Sequence, residues 1–398
     1  MVADVWHASS SYNFTMTITV ARRILAPIIA ICLLVVALQG GSAAGEPNSP
    51  QWGPGTPVAV AVEPLPDPLW LPGTAKAYRI RYTSTSFTGV QNVVSGAVFV
   101  PKGTPPILGW PVISWAHGTV GVADPCAPST AGRSQRDIDF LSAWLGAGFA
   151  VAATDYEGLG TPDRHPYLHG RSAAYGVVDA VRAARAVDAS LSGTWLAVGQ
   201  SQGGQAALFT GGLAPNYAPE LDFRGSIATA PPTQWRTTIA VANPLDPAAP
   251  ANPLEMMLFA GFAVTRPDTF HLADYLTPAG TDVFTRAATT DCFPAIAQQL
   301  AGRPSGEVYA MDAVELETLT QLLERDAEIP IIRHQQPLYI AQGTADTVVY
   351  PPATQITARE LAEAGSEITF RFYPGADHNG VMPAALPDLL AWAADRIH

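Results

Sequence analysis

Gly199, Gln200, Ser201, Gln202 and Gly203 impose the tightest constraint on this chain. They follow the short apolar run Trp195, Leu196, Ala197, Val198 and lead into an Ala-rich stretch of helical composition, residues 205–213. Strand, turn and helix in that order are what a Gly-x-Ser-x-Gly elbow requires. At so tight a turn the neighbours of the serine pack against backbone, and Gly199 and Gly203 leave the room. Ser201 then stands exposed at the C-terminal end of its strand, as a candidate nucleophile.

A serine hydroxyl is a weak nucleophile and needs a base to take its proton, with a third group holding the base. After such an elbow the partners follow in the order acid, then histidine. Four histidines follow Ser201: His271 lies in a long interruption of the strand pattern, His334 precedes a strand, and His398 is the last residue. His378 follows the final strand and precedes the last helix, which makes it the candidate base. Asp346, set among small residues in Gln342-Gly343-Thr344-Ala345-Asp346, is the candidate acid. Asp377 is the rival, but sequence neighbours rarely present their side chains to each other. An oxyanion forming on the substrate needs two preorganised donors. The N–H of Gln202 is one, and the other is expected from Thr119, with Gly118 next, in the loop 114–121 after the third strand. His117 is expected to order that loop.

Alternation over residues 75–82 and 91–100 predicts two antiparallel strands, and the continuous apolar run 111–116 a strand inside a sheet. Further strands are expected near 149–154, before Ser201, at 226–229, 337–341 and 367–372, eight in all. Helices are expected at 134–145, 172–187, 352–364 and 383–397. Alternating strands and helices indicate a mostly parallel sheet covered on both faces, with ligands at the strands' C-terminal ends. Residues 234–333 are too long for a structureless loop, so they are expected to form a helical cap or lid, with helices at 254–262 and 313–323. Met256, Met257, Leu258, Phe259 and Phe262 either line an acyl pocket or pack the cap. The core is thus split into 75–233 and 334–398, preceded by a proline-rich arm, 45–74.

Arg22 and Arg23 precede the apolar run 24–38, and Ser42, Ala43 and Ala44 offer small residues for cleavage, so residues 1–44 read as a secretory signal. Met16 is an alternative start. Removing Arg22, Arg23 and Asp4 from the 22 basic and 34 acidic side chains leaves 20 and 33, a net charge of −13. That charge disfavours nucleic acid as a partner. Of three cysteines, Cys32 lies in the signal, leaving Cys126 and Cys292 as an even pair in an exported chain, expected to form one disulfide. No metal-ligand spacing is present; His165 and His169 read as loop or helix-start residues.

His117-Gly118-Thr119, Cys126 to Ser129, Asp155 to Gly160, Gly199 to Gly203, Gly343 to Asp346, and Asp377-His378 together resemble the secretory lipase family, the lipase A type of α/β-hydrolase. The resemblance spans roughly residues 64–398. It implies an α/β-hydrolase fold with a lid-bearing helical cap, no cofactor, and hydrolysis of acylglycerols or related esters. Contact with lipid–water interfaces would then be transient, with no obligate protein partner. Fungal members often carry an acidic residue near the second oxyanion donor, where this chain has His117-Gly118-Thr119. Two other functions fit the fold: a serine peptidase, for which no carboxylate pair near the cap stands out, and a noncatalytic binding protein, against which the intact Ser201, Asp346 and His378 argue.

Overall fold

Both faces of the central strands are apolar, and the two sets of side chains alternate. The computed structural model describes residues 60–397. The expected signal segment, Cys32, His398 and the first half of the proline-rich arm lie outside the described residues. Among the described residues one nine-stranded sheet runs β1-β2-β3-β5-β4-β6-β7-β8-β9. Its strands are β1 (Val60–Pro64), β2 (Thr74–Thr85), β3 (Gln91–Pro101), β4 (Trp110–Ala116), β5 (Ala150–Glu157), β6 (Leu191–Gln200), β7 (Asp222–Thr229), β8 (Leu338–Gly343) and β9 (Ile368–Tyr373). From β5 through β9 every pairing is parallel, while β1, β2 and β3 add an antiparallel edge.

The count of eight strands is corrected to nine. The added strand, β1, lies inside the stretch read as an extended arm and pairs with β2. Its prolines hid it: Pro64 sits at the strand end, and an edge strand tolerates a residue that cannot donate to a ladder. The eight expected strands all have a counterpart.

Helices α1 (Pro128–Ala131), α2 (Gln135–Gly146), α3 (Gly170–Val187) and α4 (Gln202–Tyr217) connect the first strands. Helices α5 (Trp235–Ala242), α6 (Pro253–Thr265), α7 (Pro278–Ala287), α8 (Phe293–Leu300) and α9 (Ala313–Asp326) lie between β7 and β8, and α10 (Pro351–Glu363) and α11 (Val381–Ile397) complete the chain. In β4, β5 and β6, Val112, Ala152 and Ala197 turn toward the face covered by α3 and α4; Ile113, Val151 and Leu196 turn toward α2 and α11. Period-two alternation with both registers apolar is what a strand buried on two sides requires. Ser134 caps α2 by accepting from the Asp137 N–H, and the His169 ring does the same for α3 through Ser172, the helix-start role expected of it.

Helices α5 to α9 have an apolar core of their own, centred on Phe259, Phe270 and Tyr275, which also takes in Val122, Tyr167 and Leu168 from loops after β4 and β5. Met256, Met257, Phe259 and Phe262 belong to that core. No helix among the described residues is long and apolar enough to cross a membrane.

Candidate active site

At the C-terminal end of β6 the backbone turns through Ser201 at φ 56° and ψ −121°, a conformation an L-residue adopts only under strain. The turn is possible because of two glycines. A Cβ on Gly199 would lie 2.0 Å from the Gly203 carbonyl oxygen, and one on Gly203 would lie 1.8 Å from that of Ala116. The elbow is thus packed against the end of β4, the strand beside β6. Loops after β4 and β6 leave adjacent strand ends where β4 lies between β5 and β6, the switch point at which open α/β sheets gather ligands.

His378 lies in the loop between β9 and α11, and its Nδ1 donates to Asp346 Oδ2 at 2.8 Å. Asp346 comes from the loop after β8. Its other oxygen accepts the N–H groups of Val348 and Val349 at 2.8 and 2.9 Å, and Gln342 donates to Oδ2 at 3.0 Å. Burial by itself would raise the Asp346 carboxyl; the bond and charge of His378, with those two amides, hold it below the ordinary carboxylate range. The Asp346 side chain is 0% exposed and that of His378 14%, so the candidate base reaches the surface of the site while the candidate acid does not. Asp377 points its carboxylate elsewhere, into the N–H groups of Asn379 and Gly380, where it caps the turn.

With Nδ1 protonated toward Asp346, Nε2 of His378 presents a lone pair. That lone pair faces the Gln200 carboxamide nitrogen at 3.2 Å, which also donates to the His378 carbonyl at 3.3 Å. The Ser201 hydroxyl has no hydrogen-bond partner among the described residues. Gln200 was not singled out from the sequence, although its place in the elbow, one residue before Ser201, was the available signal.

Gln202 begins α4, so its N–H is one of the unpaired donors of a helix N-terminus. The N–H groups of Gly118 and Thr119 likewise find no acceptor among the described residues. The Thr119 hydroxyl is bonded to Tyr167 at 2.6 Å, which anchors this loop to the one after β5. A Cβ at 118 would lie 2.4 Å from Gln200 Oε1, so a side chain there would displace the Gln200 carboxamide where the two loops meet. His117 is buried, its Nδ1 2.7 Å from the Gly118 carbonyl and its ring against Tyr156; desolvation lowers its pKa. These contacts order the loop and leave His117 no part in the His378 pair.

Asp155 accepts from Ser95 and from both the N–H and the hydroxyl of Ser129, tying β5 to the segment around Cys126. Burial pushes the Glu157 carboxyl up to about 7 against the hydrogen bonds of Ser172 and the Phe87 N–H. His165 is buried between the Glu157 carbonyl and the Gln202 side chain, and desolvation lowers it to about 4. Cys126 and Cys292 are joined, Cα to Cα 5.4 Å, and the Phe293 N–H donates to the Val120 carbonyl beside them. The bridge runs from the loop beyond Thr119 to the start of α8.

Ser201 and Gln202 open onto a cavity of about 150 Å³ whose apolar wall includes Trp235, Ile239, Leu254, Leu258 and Leu319. Of the five apolar residues weighed for an acyl pocket, Leu258 lines it, whereas the other four are spent on the core of the insertion.

A mostly parallel sheet with helices on both faces, an elbow at the switch point and a long insertion after β7 define an α/β-hydrolase. The secretory lipase family model matches residues 127–398, and the chain belongs to that family. A curated relative from Mycobacterium tuberculosis, named a probable inactive lipase, is 23% identical over 344 residues, covering 82% of this chain and 74% of that protein. The rice cell wall degrading esterase LipA of Xanthomonas oryzae superposes with a TM-score of 0.67 at 17% identity, covering 81% of this chain and 90% of that one. Candida antarctica lipase A in its closed state gives a TM-score of 0.62 at 19% identity, with coverage of 80% and 76%. Membership places the chain among lipase- and esterase-type hydrolases.

Proposed function

We propose that this protein is an exported serine ester hydrolase that cleaves lipid esters, triacylglycerols among them, through an acyl-Ser201 intermediate. The observation that carries this reading is the bond from His378 Nδ1 to the buried Asp346 carboxylate, made directly beside the strained Ser201 elbow. Nε2 of His378 is held by Gln200, the residue preceding the nucleophile. A small displacement of that carboxamide on substrate entry hands the lone pair to the Ser201 hydroxyl; such bonds are often formed only once substrate is bound. Ser201 then attacks the ester carbonyl as His378 takes its proton, and the imidazolium is stabilised by Asp346. The oxyanion is received by the N–H groups of Gln202 and of Thr119 or Gly118. His378 returns the proton to the departing alcohol, and water releases the acyl group by the same steps in reverse order.

The insertion α5 to α9 acts in this reading as a cap, with α5 and α6 walling the acyl site. The cavity is smaller than the roughly 300–1,000 Å³ usual for ligand pockets, which favours short acyl groups unless the cap opens. Export is supported by the family and by the disulfide, which persists in oxidising compartments.

The test is hydrolysis by the purified mature protein of short esters, long triacylglycerols and peptide amides, beside Ser201→Ala. Esters should turn over and amides should not, and Ser201→Ala should lose on the order of 10⁶-fold. An unmodified protein without ester turnover would instead be a noncatalytic member, the state named for the mycobacterial relative.

A further inference from the structure

Within the cavity that opens from Ser201, one polar group besides the Ser201 hydroxyl is left over. Glu255 is the third residue of α6 and is only 8% exposed, yet it lines that cavity among Leu254, Leu258 and Trp235. Its Oε2 is buried with no partner, and its carboxyl makes no hydrogen bond among the described residues. The usual task of a glutamate at this helix position, reaching back to the N–H of the capping residue, is not performed here: Asn252 caps the helix through its own side chain alone. Apart from the Ser201 hydroxyl, which the hydrolase reading uses as the nucleophile, the other polar side chains argued over here are already engaged. Thr233 is bonded to Glu328 and Thr357, Thr238 to the Thr233 carbonyl, and Gln202 to His165. No cation among the described residues neutralises Glu255, and burial alone pushes its carboxyl up to about 8, so near neutrality it is an acid with a proton to donate.

A buried polar group without a partner is a standing cost to the fold, and an apolar acyl chain would leave that cost in place. An oxygen on the chain would relieve it. We propose that the acyl site of this protein is built for chains carrying a hydroxyl or carbonyl oxygen, and that Glu255 recognises that oxygen by hydrogen bonding. The proposal deepens the ester-hydrolase reading and rests on it. Glu255 is a specificity residue for the acyl group and takes no part in the proton transfers at His378. A site built to pair with a polar group discriminates against the analogue lacking it more sharply than an apolar site discriminates between chain lengths.

The purified mature protein should be assayed with p-nitrophenyl hexanoate and its 3-hydroxy and 6-hydroxy congeners, alongside Glu255→Gln and Glu255→Leu, with folding of each variant checked by thermal unfolding. At least one hydroxylated ester is expected to exceed hexanoate in kcat/KM by about tenfold, the worth of one hydrogen bond. Glu255→Gln should keep part of that preference, because its amide still offers a donor and an acceptor, and Glu255→Leu should reverse it. Equal or better turnover of plain hexanoate by the unmodified protein, with ratios untouched in Glu255→Leu, overturns the proposal and leaves the ester-hydrolase reading standing. If no ester is cleaved, the ester-hydrolase reading falls, and ligand-observed NMR with hexanamide and 6-hydroxyhexanamide decides the recognition. Tighter binding of the hydroxyamide that disappears in Glu255→Leu supports it, and equal binding overturns it.

Discussion

Asp346 and Asp377 are the same residue type within reach of the same loop, and their surroundings give them different work. Asp346 is buried and bonded to His378 Nδ1, while Asp377 spends its carboxylate on the turn. Asp346→Asn is expected to fold and to lose about 10⁴-fold in kcat, because the amide favours the wrong histidine tautomer. Asp377→Asn should cost far less, and kinetics of the two purified variants check the assignment. Glu255 carries a pH signature in stability. A carboxyl raised to about 8 keeps its proton in the folded state while the unfolded chain loses it near 4.5, so stability falls as pH rises from about 4.5 to 8. Glu255→Gln removes that slope, and its gain in Tm over the unmodified protein should be larger at pH 8 than at pH 5.

The elbow and the bridge each couple segments remote in sequence. Gly203 packs on the Ala116 carbonyl, so an added methyl must push apart the ends of β4 and β6, the two strands that present Thr119 and Ser201. Gly203→Ala is expected to destabilise by about 3 kcal/mol, measured by denaturant unfolding, with activity falling further than stability explains. The disulfide closes a sequence separation of 166 residues between the loop after β4 and the start of α8. In the chain-entropy model a loop of that length is worth up to roughly 5 kcal/mol, and measured gains are often smaller. Reduction should lower Tm by several degrees, and in the capped-hydrolase reading it should also raise KM, since α8 would lose its tether near the site. A bridge with no kinetic consequence would mean that the insertion is held in place by its apolar core alone.

Stability of the assembled protein should be lost on the acid side for a reason shared by two distant sites. His165 lies beneath the Ser201 elbow and His334 lies ahead of β8 against α4; both are buried, and desolvation lowers each to about 4. Both are neutral in the folded state, whereas the unfolded chain takes up their protons near 6.5. Stability is therefore expected to decline as pH falls from about 6.5 to 4. His334→Gln, a change remote from Ser201, should flatten that decline in a series of urea titrations without altering the pH profile of turnover.

Much of the site was legible because its signals are local. An elbow is five residues long, the candidate acid and base each follow a recognisable strand, and adjacency alone argues against Asp377. The sheet was legible for a similar reason, since a strand buried on both faces leaves a continuous apolar run in the chain. β1 escaped because its pairing with β2 is decided by the neighbouring strand and its own prolines argue against it. Long-range contacts were equally hidden. That Gln200 holds His378, that Tyr167 holds Thr119, and that four of five apolar residues near α6 serve the insertion's core depend on which segments meet in space. Glu255 is the sharpest case. In sequence it is an ordinary first-turn glutamate, suited to a helix N-terminus, and only the packing of α6 over the cavity removes water and leaves its Oε2 without a partner among the described residues. Local backbone chemistry is written along the chain, while desolvation is a property of what the folded chain places around a group.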